Sequence, residues 1–372
     1  MLVVGAGPVA RRRIAALVEA EAAIEVVAID APELGLPLQR RAFRHSDVDG
    51  AWLVHACTGV VDDDVAAACR ARGVWCVRAD DAARSAAWVP AVARVDGVVV
   101  SVTAGRDPRR SVRLRDAIAL AIDTGALPMR RARAGAGSVA LVGGGPGDPG
   151  LLTVRGRQLL AQADLVVRDR LAPRVELADA VEVVETGKSA HGASWSQGDI
   201  EQLIVDRALA GARVVRLKGG DVHVFARGIE EVAACIEAGV AVEVVPGVTS
   251  AFAVPAWAGI PVTARGVTQS VSVVSAHLPP GDPDSTVDWD ALARLGGTVV
   301  LLMAVERLGG VCAALVAGGR SADTPVAVVR DGTLASQEVV ITTLASAAVD
   351  AAHLTAPAVV VVGEVVAARV QP

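Results

Sequence analysis

The stretch Arg213-Val-Val-Arg-Leu-Lys-Gly-Gly-Asp-Val-His-Val-Phe-Ala-Arg-Gly228 places a short apolar strand directly before two glycines and an aspartate. A helix is predicted to follow near Ile229. Gly219 and Gly220 carry no Cβ, so a ligand can approach the backbone there, and open α/β sheets bind ligands at the carboxyl ends of their strands. Asp221 can accept hydrogen bonds from a cationic or hydroxylated ligand. This stretch alone is equally compatible with a ligand site and with a plain strand-to-helix turn.

Two further strands in the same half of the chain also end in glycine-rich turns. Val139-Ala-Leu-Val142 leads into Gly143-Gly-Gly-Pro-Gly-Asp-Pro-Gly150, and Val242-Glu-Val-Val245 leads into Pro246-Gly-Val-Thr-Ser-Ala251. Three such turns after three strands are more than turn chemistry alone requires. They predict an α/β fold in which the turns meet at the carboxyl edge of a sheet and hold a ligand there.

The N-terminus carries a separate nucleotide-binding pattern. Leu2-Val-Val4 is a predicted strand, Gly5-Ala-Gly-Pro-Val-Ala10 matches G-x-G-x-x-A, a helix is predicted from Arg11 to Glu19, and a second strand ends before Asp30. Such glycines allow a pyrophosphate to approach a helix N-terminus, and an acid after the second strand can bind a ribose hydroxyl. The pattern predicts a Rossmann-like domain that binds NAD through Gly5, Gly7, Val9, Ala10 and Asp30.

Composition limits the classes of partner. The 372-residue chain is 52% apolar and has a formal charge of −5, three Phe and no Tyr. The charge argues against a nucleic-acid partner, and the few aromatic residues argue against ligand capture by stacking. The five cysteines lack metal-type spacing and suit a reduced cytoplasm. No apolar run reaches the length of a membrane span, so we expect a cytoplasmic enzyme with no membrane partner and no bound metal.

The pattern of elements divides the chain into segments. A Rossmann-like NAD-binding domain is predicted over 1–80 and a helical segment over 81–129. The basic, small-residue stretch 130–137 is typical of a linker. Two α/β lobes are predicted over 138–260 and 261–372, with a ligand crevice between them. The predicted fold class is therefore α/β, with the Rossmann-like domain followed by a two-lobed second part.

The motifs over residues 138–369 resemble those of the tetrapyrrole methylase family, in particular its uroporphyrinogen-III C-methyltransferases. Besides the three glycine-rich turns, the resemblance includes, in the family's order, Val167-Arg-Asp-Arg-Leu171, Thr186-Gly-Lys188, Ala258-Gly-Ile-Pro-Val-Thr263, Leu302-Met303, Asp323-Thr-Pro-Val326, Asp331-Gly-Thr333 and Val361-Val-Gly-Glu-Val-Val366. The first third resembles the precorrin-2 dehydrogenase/ferrochelatase domain that precedes the methylase in siroheme synthases. The resemblance also implies a homodimer, with residues 81–129 as a dimerisation segment.

The resemblance implies a site and its chemistry. The expected reaction is methyl transfer to C2 and then C7 of uroporphyrinogen III, which gives precorrin-2 for siroheme or cobalamin synthesis. Asp169 is implied as the carboxylate that stabilises the cationic ring, and Lys188 as a proton donor. S-adenosyl-methionine is expected to bind folded between the lobes, in a non-Rossmann site, through Pro146, Gly219, Gly220, Asp221, Val224, Thr249, Ser250, Met303 and Gly332. The candidate ligands for substrate carboxylates are Arg170, Arg216, Arg227 and Arg265.

Three of these assignments have a plain structural alternative. Asp169 can form an ion pair with Arg168 or Arg170 instead of facing a substrate. Lys188 can be a solvated loop residue, and Met303, which follows an apolar strand, can be a core residue.

Two departures from the family pattern bear on activity. The siroheme synthase domain usually has an Ala-Thr-Asp-Asp run, one of whose acids is implicated in dehydrogenation and iron insertion, where this chain has Thr58-Gly-Val-Val61. The later acids Asp62, Asp63 and Asp64 either replace that carboxylate or cap the next helix, and we favour the cap. In the methylase part, Val222-His223 replaces the family's proline and aromatic residue, which affects the turn that carries the cofactor.

The sequence leaves three functions open. The chain is a methyltransferase whose N-terminal domain also oxidises precorrin-2 with NAD and chelates iron, or a monofunctional methyltransferase with an inactive scaffold or nucleotide-sensing domain. The third is a non-catalytic tetrapyrrole carrier. Asp169 and Lys188 argue against the carrier because a carrier needs neither.

Overall fold

The computed structural model describes residues 1–105, 107–130, 135–187 and 195–370. The chain forms two compact units, Met1–Ala117 and Ile118–Pro372. Residues 131–134 of the predicted linker lie outside the described ranges, and the domain bounds given above stay predictions. Within the described ranges, no helix is both long and apolar enough to cross a membrane.

The first unit is built on a five-stranded parallel sheet. Its strand order is β3-β2-β1-β4-β5, with the chain winding outward in both directions from β1. This order confirms the Rossmann-like prediction and places the topological switch point between β1 and β4. The strands are β1 (Leu2–Val4), β2 (Glu25–Val27), β3 (Leu38–Gln39), β4 (Leu53–Ala56) and β5 (Trp75–Arg78), and the helices are α1 (Pro8–Glu19) and α2 (Asp62–Ala71).

The central strand β1 is apolar throughout because both faces of the sheet are covered. Val3 packs with Ala10 and Ile14 of α1, whereas Leu2 and Val4 belong to the cluster on the α2 side. The strand therefore fixes α1 directly above the sheet, with its N-terminus at the carboxyl end of β1.

A hairpin and a helix follow this sheet: β6 (Ala91–Val95), β7 (Val98–Val102) and α3 (Pro108–Asp123). The segment 81–129, which was predicted to be helical, therefore contains a two-stranded hairpin as well as a helix. The helix begins at Pro108 because a proline loses no hydrogen bond in a first turn. In addition, Asp107 Oδ1 accepts a hydrogen bond from the Arg110 N–H at 3.0 Å.

The first lobe of the second unit is a five-stranded parallel sheet in the order β10-β9-β11-β8-β12. Leu141 of β8 packs with Ile204 on one face, and Val142 packs with Leu160 on the other. The strands are β8 (Ser138–Gly143), β9 (Leu165–Arg168), β10 (Glu182–Glu185), β11 (Arg213–Lys218) and β12 (Ala241–Val245), and the helices are α4 (Val154–Gln162), α5 (Gln197–Leu209) and α6 (Gly228–Glu237).

The second lobe is a mixed sheet in the order β13-β14-β17-β15-β16. Because β14 and β15 both run antiparallel to β17, and β13 runs parallel to β14, the carboxyl ends of β13, β14 and β15 share one edge. The strands are β13 (Val271–Ser275), β14 (Thr298–Leu302), β15 (Pro325–Arg330), β16 (Glu338–Thr343) and β17 (Ala358–Val362). The helices are α7 (Ser250–Trp257), α8 (Trp289–Arg294), α9 (Leu308–Ala317) and α10 (Ala347–Asp350).

Helix α7 connects the two lobes and packs on the second one. Its residues Ala251 and Val254 belong to the same buried cluster as Val300 of β14 and Ala327 of β15. The predicted boundary at residue 260 assigned this helix to the first lobe, yet its apolar side is buried against the second sheet. Its N-terminus, however, directly follows the turn after β12.

Candidate active site

The three glycine-rich turns of the first lobe are joined by hydrogen bonds. The Gly220 N–H donates to the Gly145 carbonyl at 2.7 Å, and the Gly145 N–H donates to the Gly220 carbonyl at 3.1 Å. The Gly247 N–H donates to Asp221 Oδ2 at 3.0 Å, and the His223 N–H donates to Asp221 Oδ1 at 2.8 Å. Asp221 therefore fastens the turn after β11 to the turn after β12, and all three turns form one surface at the carboxyl edge of the sheet.

Close packing of backbone explains most of these glycines. A Cβ on Gly143 would lie 2.5 Å from the Gly247 Cα, and a Cβ on Gly219 would lie 2.8 Å from the Leu171 side chain. Gly220 differs: its φ is +66°, and a Cβ there would meet nothing nearer than the Ser250 backbone nitrogen at 3.8 Å. The expectation that both paired glycines leave room for a ligand therefore fits Gly220, whereas Gly219 is needed for packing against the neighbouring loop.

The second lobe closes onto this surface through the loop after β15. The Asp148 N–H donates to Thr333 Oγ1 at 3.1 Å, which joins the turn after β8 to that loop. Gly332 lies against α7, where a Cβ would be only 2.4 Å from Val254 Cγ1. At the start of α7, Thr249 Oγ1 accepts a hydrogen bond from the Ala251 N–H at 3.3 Å. The structure thus brings Thr249, Ser250 and Gly332 to the glycine-rich turns.

Met303 lies at the same edge of the second lobe. It directly follows β14, its φ is +59°, and it is 46% exposed. A core methionine needs neither a left-handed backbone nor exposure, so the core alternative for Met303 is wrong. Val224, in the loop before α6, packs against the apolar cluster of the second lobe, which brings it to the boundary between the lobes.

Asp169 lies at the carboxyl end of β9 and is held by cations behind it. Its side chain is 31% exposed, Arg216 Nη2 donates to its Oδ1, and Lys218 Nζ lies 3.8 Å from its Oδ2. Thr186 Oγ1 donates to Oδ1 at 3.2 Å. Arg168 is paired with Glu185 instead, so the alternative that Asp169 pairs with Arg168 is wrong.

The predicted substrate arginines differ in position. Arg216 is 2% exposed and engaged with acidic partners, so its position contradicts a direct contact with a substrate carboxylate. Strand β11 is covered on both faces, and the Arg216 side chain lies on the face where it contacts Glu231 of α6. Arg170, Arg227 and Arg265 are exposed, and Arg227 pairs with Glu230.

One predicted catalytic residue, Lys188, lies outside the described residues. Its neighbour Gly187 is described, and a Cβ there would lie 2.7 Å from the Arg170 Cβ. The chain that leaves β10 therefore passes beside the loop that carries Asp169.

Two buried charges near Asp169 were missed by the sequence reasoning. Lys218 is 2% exposed, Glu231 is fully buried, and Lys218 Nζ lies 2.8 Å from Glu231 Oε1. The available signal was the alternation of Arg216 and Lys218 in an otherwise apolar strand, since residues two apart share a face. The sequence does not show which acid lies beneath them.

In the first unit, the predicted NAD residues lie around the switch point. A Cβ on Gly5 would lie 2.7 Å from the Cys57 carbonyl oxygen, so Gly5 is required by packing. Gly7 precedes α1 with an ordinary φ of −66°, and no atom of the described residues lies within 4 Å of its missing Cβ. Ala10 is fully buried, whereas Val9 and Asp30 are exposed. Gly7 therefore leaves open space at a helix N-terminus, which fits a pyrophosphate.

The acidic run before α2 orders the loop next to this switch point. Asp62 is buried and accepts hydrogen bonds from the Thr58 and Gly59 N–H groups at 2.9 and 3.1 Å. The hydrogen bond from Arg78 lowers the pKa of Asp63. The prediction that these acids cap the helix is wrong, because Val61 is the N-cap residue and makes no side-chain cap hydrogen bond. Asp62 and Asp63 instead occupy the first turn of α2, where acidic side chains are favourable.

Comparison with known proteins places both units in families. Residues 138–348 match the family described as Tetrapyrrole (Corrin/Porphyrin) Methylases, and residues 1–91 match a family described as NAD(P)-binding. A siroheme synthase of Chromobacterium violaceum is 38% identical over 98% of this chain and 92% of its own. An S-adenosyl-L-methionine-dependent uroporphyrinogen III methyltransferase of Methanosarcina barkeri is 45% identical over 62% of this chain and 92% of its own.

A solved structure supports the same conclusion for the second unit. The uroporphyrin-III C-methyltransferase of Thermus thermophilus, complexed with S-adenyl homocysteine, is 36% identical with a TM-score of 0.53. The match covers 62% of this chain and all of that one. The resemblance and the fold class inferred from the sequence are thereby confirmed. The chain belongs to the tetrapyrrole (corrin/porphyrin) methylase family, and like its siroheme synthase relative it carries the methylase behind an NAD(P)-binding domain.

Proposed function

We propose that the chain methylates uroporphyrinogen III at C2 and C7 with S-adenosyl-methionine, giving precorrin-2 for siroheme or cobalamin synthesis. The observation that carries this proposal is Asp169. Its carboxylate is part-exposed at the carboxyl edge of the first lobe and is braced by the buried cations Arg216 and Lys218. The joined glycine-rich turns lie at the same edge, which suits a site for two ligands.

The residues at the joined turns fit S-adenosyl-methionine. Gly220 lies beside the start of α7, with the Ser250 nitrogen 3.8 Å from the position of its missing Cβ, and the N-terminus of α7 attracts a carboxylate. Asp221 already accepts two backbone hydrogen bonds, and each of its oxygens keeps a lone pair for a cationic or hydroxylated group. Met303 presents an exposed thioether at the facing edge.

The proposed chemistry needs little beyond alignment and charge stabilisation. When bound, S-adenosyl-methionine supplies a methyl group that is already activated on a sulfonium. As a ring carbon forms its bond to that methyl, the bond to sulfur breaks and the pyrrole ring becomes cationic. Asp169 stabilises this positive charge and accepts the proton that the macrocycle loses afterwards. Arg170, Arg227 and Arg265 are exposed, so their side chains can reach the substrate's carboxylates, with Arg227 exchanging its partner Glu230 for one of them.

We further propose that the first unit binds NAD and oxidises precorrin-2 to sirohydrochlorin. The open space at Gly7 and the doubly wound sheet support NAD binding. Asp63 and Asp80 meet at the same edge through the buried Arg78, whose Nε donates to Asp80 at 2.9 Å. Since Asp62 and Asp63 are held by structural contacts, a scaffold or nucleotide-sensing role for this unit is the second candidate.

A homodimer in the cytoplasm completes the proposal. Large apolar side chains are exposed on β6, on β7 and at the start of α3, namely Val92, Val98, Val99, Val112 and Leu114. Exposed apolar residues on adjoining elements are typical of a protein interface. Light scattering of the purified chain tests the dimer, and a monomer at micromolar concentration would contradict it.

All five cysteines of the chain are free, which suits a reducing compartment.

The experiment that tests the function is an anaerobic incubation with uroporphyrinogen III and S-adenosyl-methionine, with and without NAD, followed by absorbance and mass. Addition of two methyls without NAD, and sirohydrochlorin only with NAD, is the expected result. Two methyls with no NAD-dependent step would leave the first unit as a scaffold. No methyl transfer would reject the methyltransferase proposal.

A further inference from the structure

Asp169 and three charged side chains behind it form a continuous chain of contacts into the core. Glu231 Oε1 accepts hydrogen bonds from Arg216 Nε at 3.1 Å and from Lys218 Nζ at 2.8 Å. On the other side, Arg216 Nη2 donates to Asp169 Oδ1, and its Nη1 donates to the Val167 carbonyl at 3.3 Å. Glu231 is fully buried, yet it forms ion pairs with both of the cations that lie next to Asp169.

The burial of these groups makes their charge balance important. Arg216, Lys218 and Glu231 are each at most 2% exposed. Buried cations are stable only when paired, and one carboxylate behind two cations leaves one positive charge to face Asp169. Glu231 therefore holds Lys218 back at 3.8 Å from Asp169 Oδ2, beyond normal hydrogen-bonding distance.

The hydrogen bonds of Glu231 indicate that its carboxylate holds the two cations in place. Its Oε1 accepts all the donors, including Gln197 Nε2 at 3.5 Å, whereas its Oε2 is buried with no hydrogen-bond partner among the described residues. A carboxylate that only anchored α6 to the sheet would be expected to satisfy both oxygens.

We propose that Glu231 is a positioning residue for methyl transfer. By sharing one carboxylate oxygen between Arg216 and Lys218, it keeps Lys218 from closing onto Asp169 Oδ2, so that this oxygen can face the cationic ring while Oδ1 stays bound to Arg216. This inference rests on the proposed function, since it deepens the role of Asp169 in the same site.

The test compares Glu231→Gln with the matched control Glu237→Gln, an exposed residue on the same helix. We expect Glu231→Gln to lower kcat roughly tenfold to a hundredfold, at or below the lower end of the loss expected for an acid–base group, because Asp169 itself is still present. We expect KM for S-adenosyl-methionine to change less than about twofold, because Asp221 and the joined turns are untouched. The control should match wild type in both.

A second variant separates positioning from a loss of packing. Glu231→Gln combined with Lys218→Met removes one charge of each sign and leaves Arg216 facing Asp169. We expect this double variant to recover roughly tenfold in kcat over Glu231→Gln, and to match Lys218→Met alone, because neither variant keeps the lysine that Glu231 holds back. No recovery, or wild-type kcat in Glu231→Gln, would overturn the proposal.

A crystal structure of Glu231→Gln gives a result that does not depend on activity. The Lys218 ammonium is expected to move from residue 231 to within about 3 Å of Asp169, the usual length of a charge-assisted hydrogen bond. Lys218 remaining at residue 231 would contradict the positioning role even if the chain methylates another substrate. Absence of methyl transfer in wild type, with this movement observed, would reject only the proposed function.

Discussion

At the residue scale, Asp169 should separate chemistry from cofactor binding. Replacing it by Ala removes the carboxylate that we propose faces the cationic ring but none of the contacts among the glycine-rich turns. We predict that Asp169→Ala lowers methyl transfer about 10² to 10⁴-fold, while calorimetric binding of S-adenosyl-homocysteine changes less than about twofold. Equal losses of turnover and of binding would mean that Asp169 is structural.

His55 gives the first unit a predicted dependence on pH. It is 2% exposed in the centre of the sheet, and neither ring nitrogen has a hydrogen-bond partner among the described residues. Burial, with Arg13 adding to it, lowers the pKa of His55 from 6.5 to about 4. Below pH 6.5 the imidazole of His55 binds a proton in the unfolded chain but not in the folded chain. The free energy of unfolding is therefore highest above pH 6.5 and falls as the pH drops toward 4.

Replacing His55 by Leu should remove this dependence. Between pH 7 and pH 5 the wild-type first unit should lose about 2 kcal/mol that the His55→Leu unit keeps. Calorimetric unfolding at both pH values measures it, with His45→Leu, at an exposed position of the same unit, as the control. Parallel losses in wild type and His55→Leu would contradict burial of an uncharged imidazole.

At the scale of the element, the turn after β11 can be tested by a pair of glycines with similar backbone. Gly220 has φ +66° and Gly239, which follows α6, has φ +70°. An alanine at either should cost about 1 to 2 kcal/mol of stability through the left-handed backbone. We predict that only Gly220→Ala weakens S-adenosyl-homocysteine binding, by roughly tenfold (about 1.4 kcal/mol). Equal affinity in the two variants would argue against a ligand at Gly220.

The same elements show how far the sequence reaches. The glycine-rich turns were predictable because each follows an apolar strand, and parallel strands bring their carboxyl ends to one edge. The presence of the start of α7 at the site was likewise predictable, because Thr249 and Ser250 lie in the turn that follows β12. Both inferences depend only on residues that are close along the chain.

The position of Arg216 was not predictable in this way. An arginine in the strand before a glycine turn looks like a substrate contact, and only the packing of α6 on the sheet reveals Glu231 beneath it. Similarly, Met303 follows four apolar residues, and its left-handed backbone is set by the turn that ends β14. Contacts between distant elements decide both cases.

At the scale of the whole molecule, the two activities should be separable. Gly7 has a backbone that any residue can adopt, and the described part of the chain places no atom beyond its own chain neighbours within 4 Å of its missing Cβ. A side chain there should therefore clash with a ligand rather than with the protein. We predict that Gly7→Val changes stability by less than about 0.5 kcal/mol and weakens NADH binding at least tenfold, measured by fluorescence titration. Methyl transfer should be unchanged, because every residue of that site lies in the second unit. Wild-type NADH affinity in Gly7→Val would place the nucleotide elsewhere.

The central claim is methyl transfer to a tetrapyrrole at the site of Asp169. The most direct measurement is an anaerobic incubation of the chain with uroporphyrinogen III and S-adenosyl-methionine labelled with ¹³C in its methyl group, followed by mass and ¹³C NMR of the product. We predict two labelled methyls, at C2 and C7, with wild type and almost none with Asp169→Ala. A product without label from the wild-type chain, or full labelling by Asp169→Ala, would contradict the account.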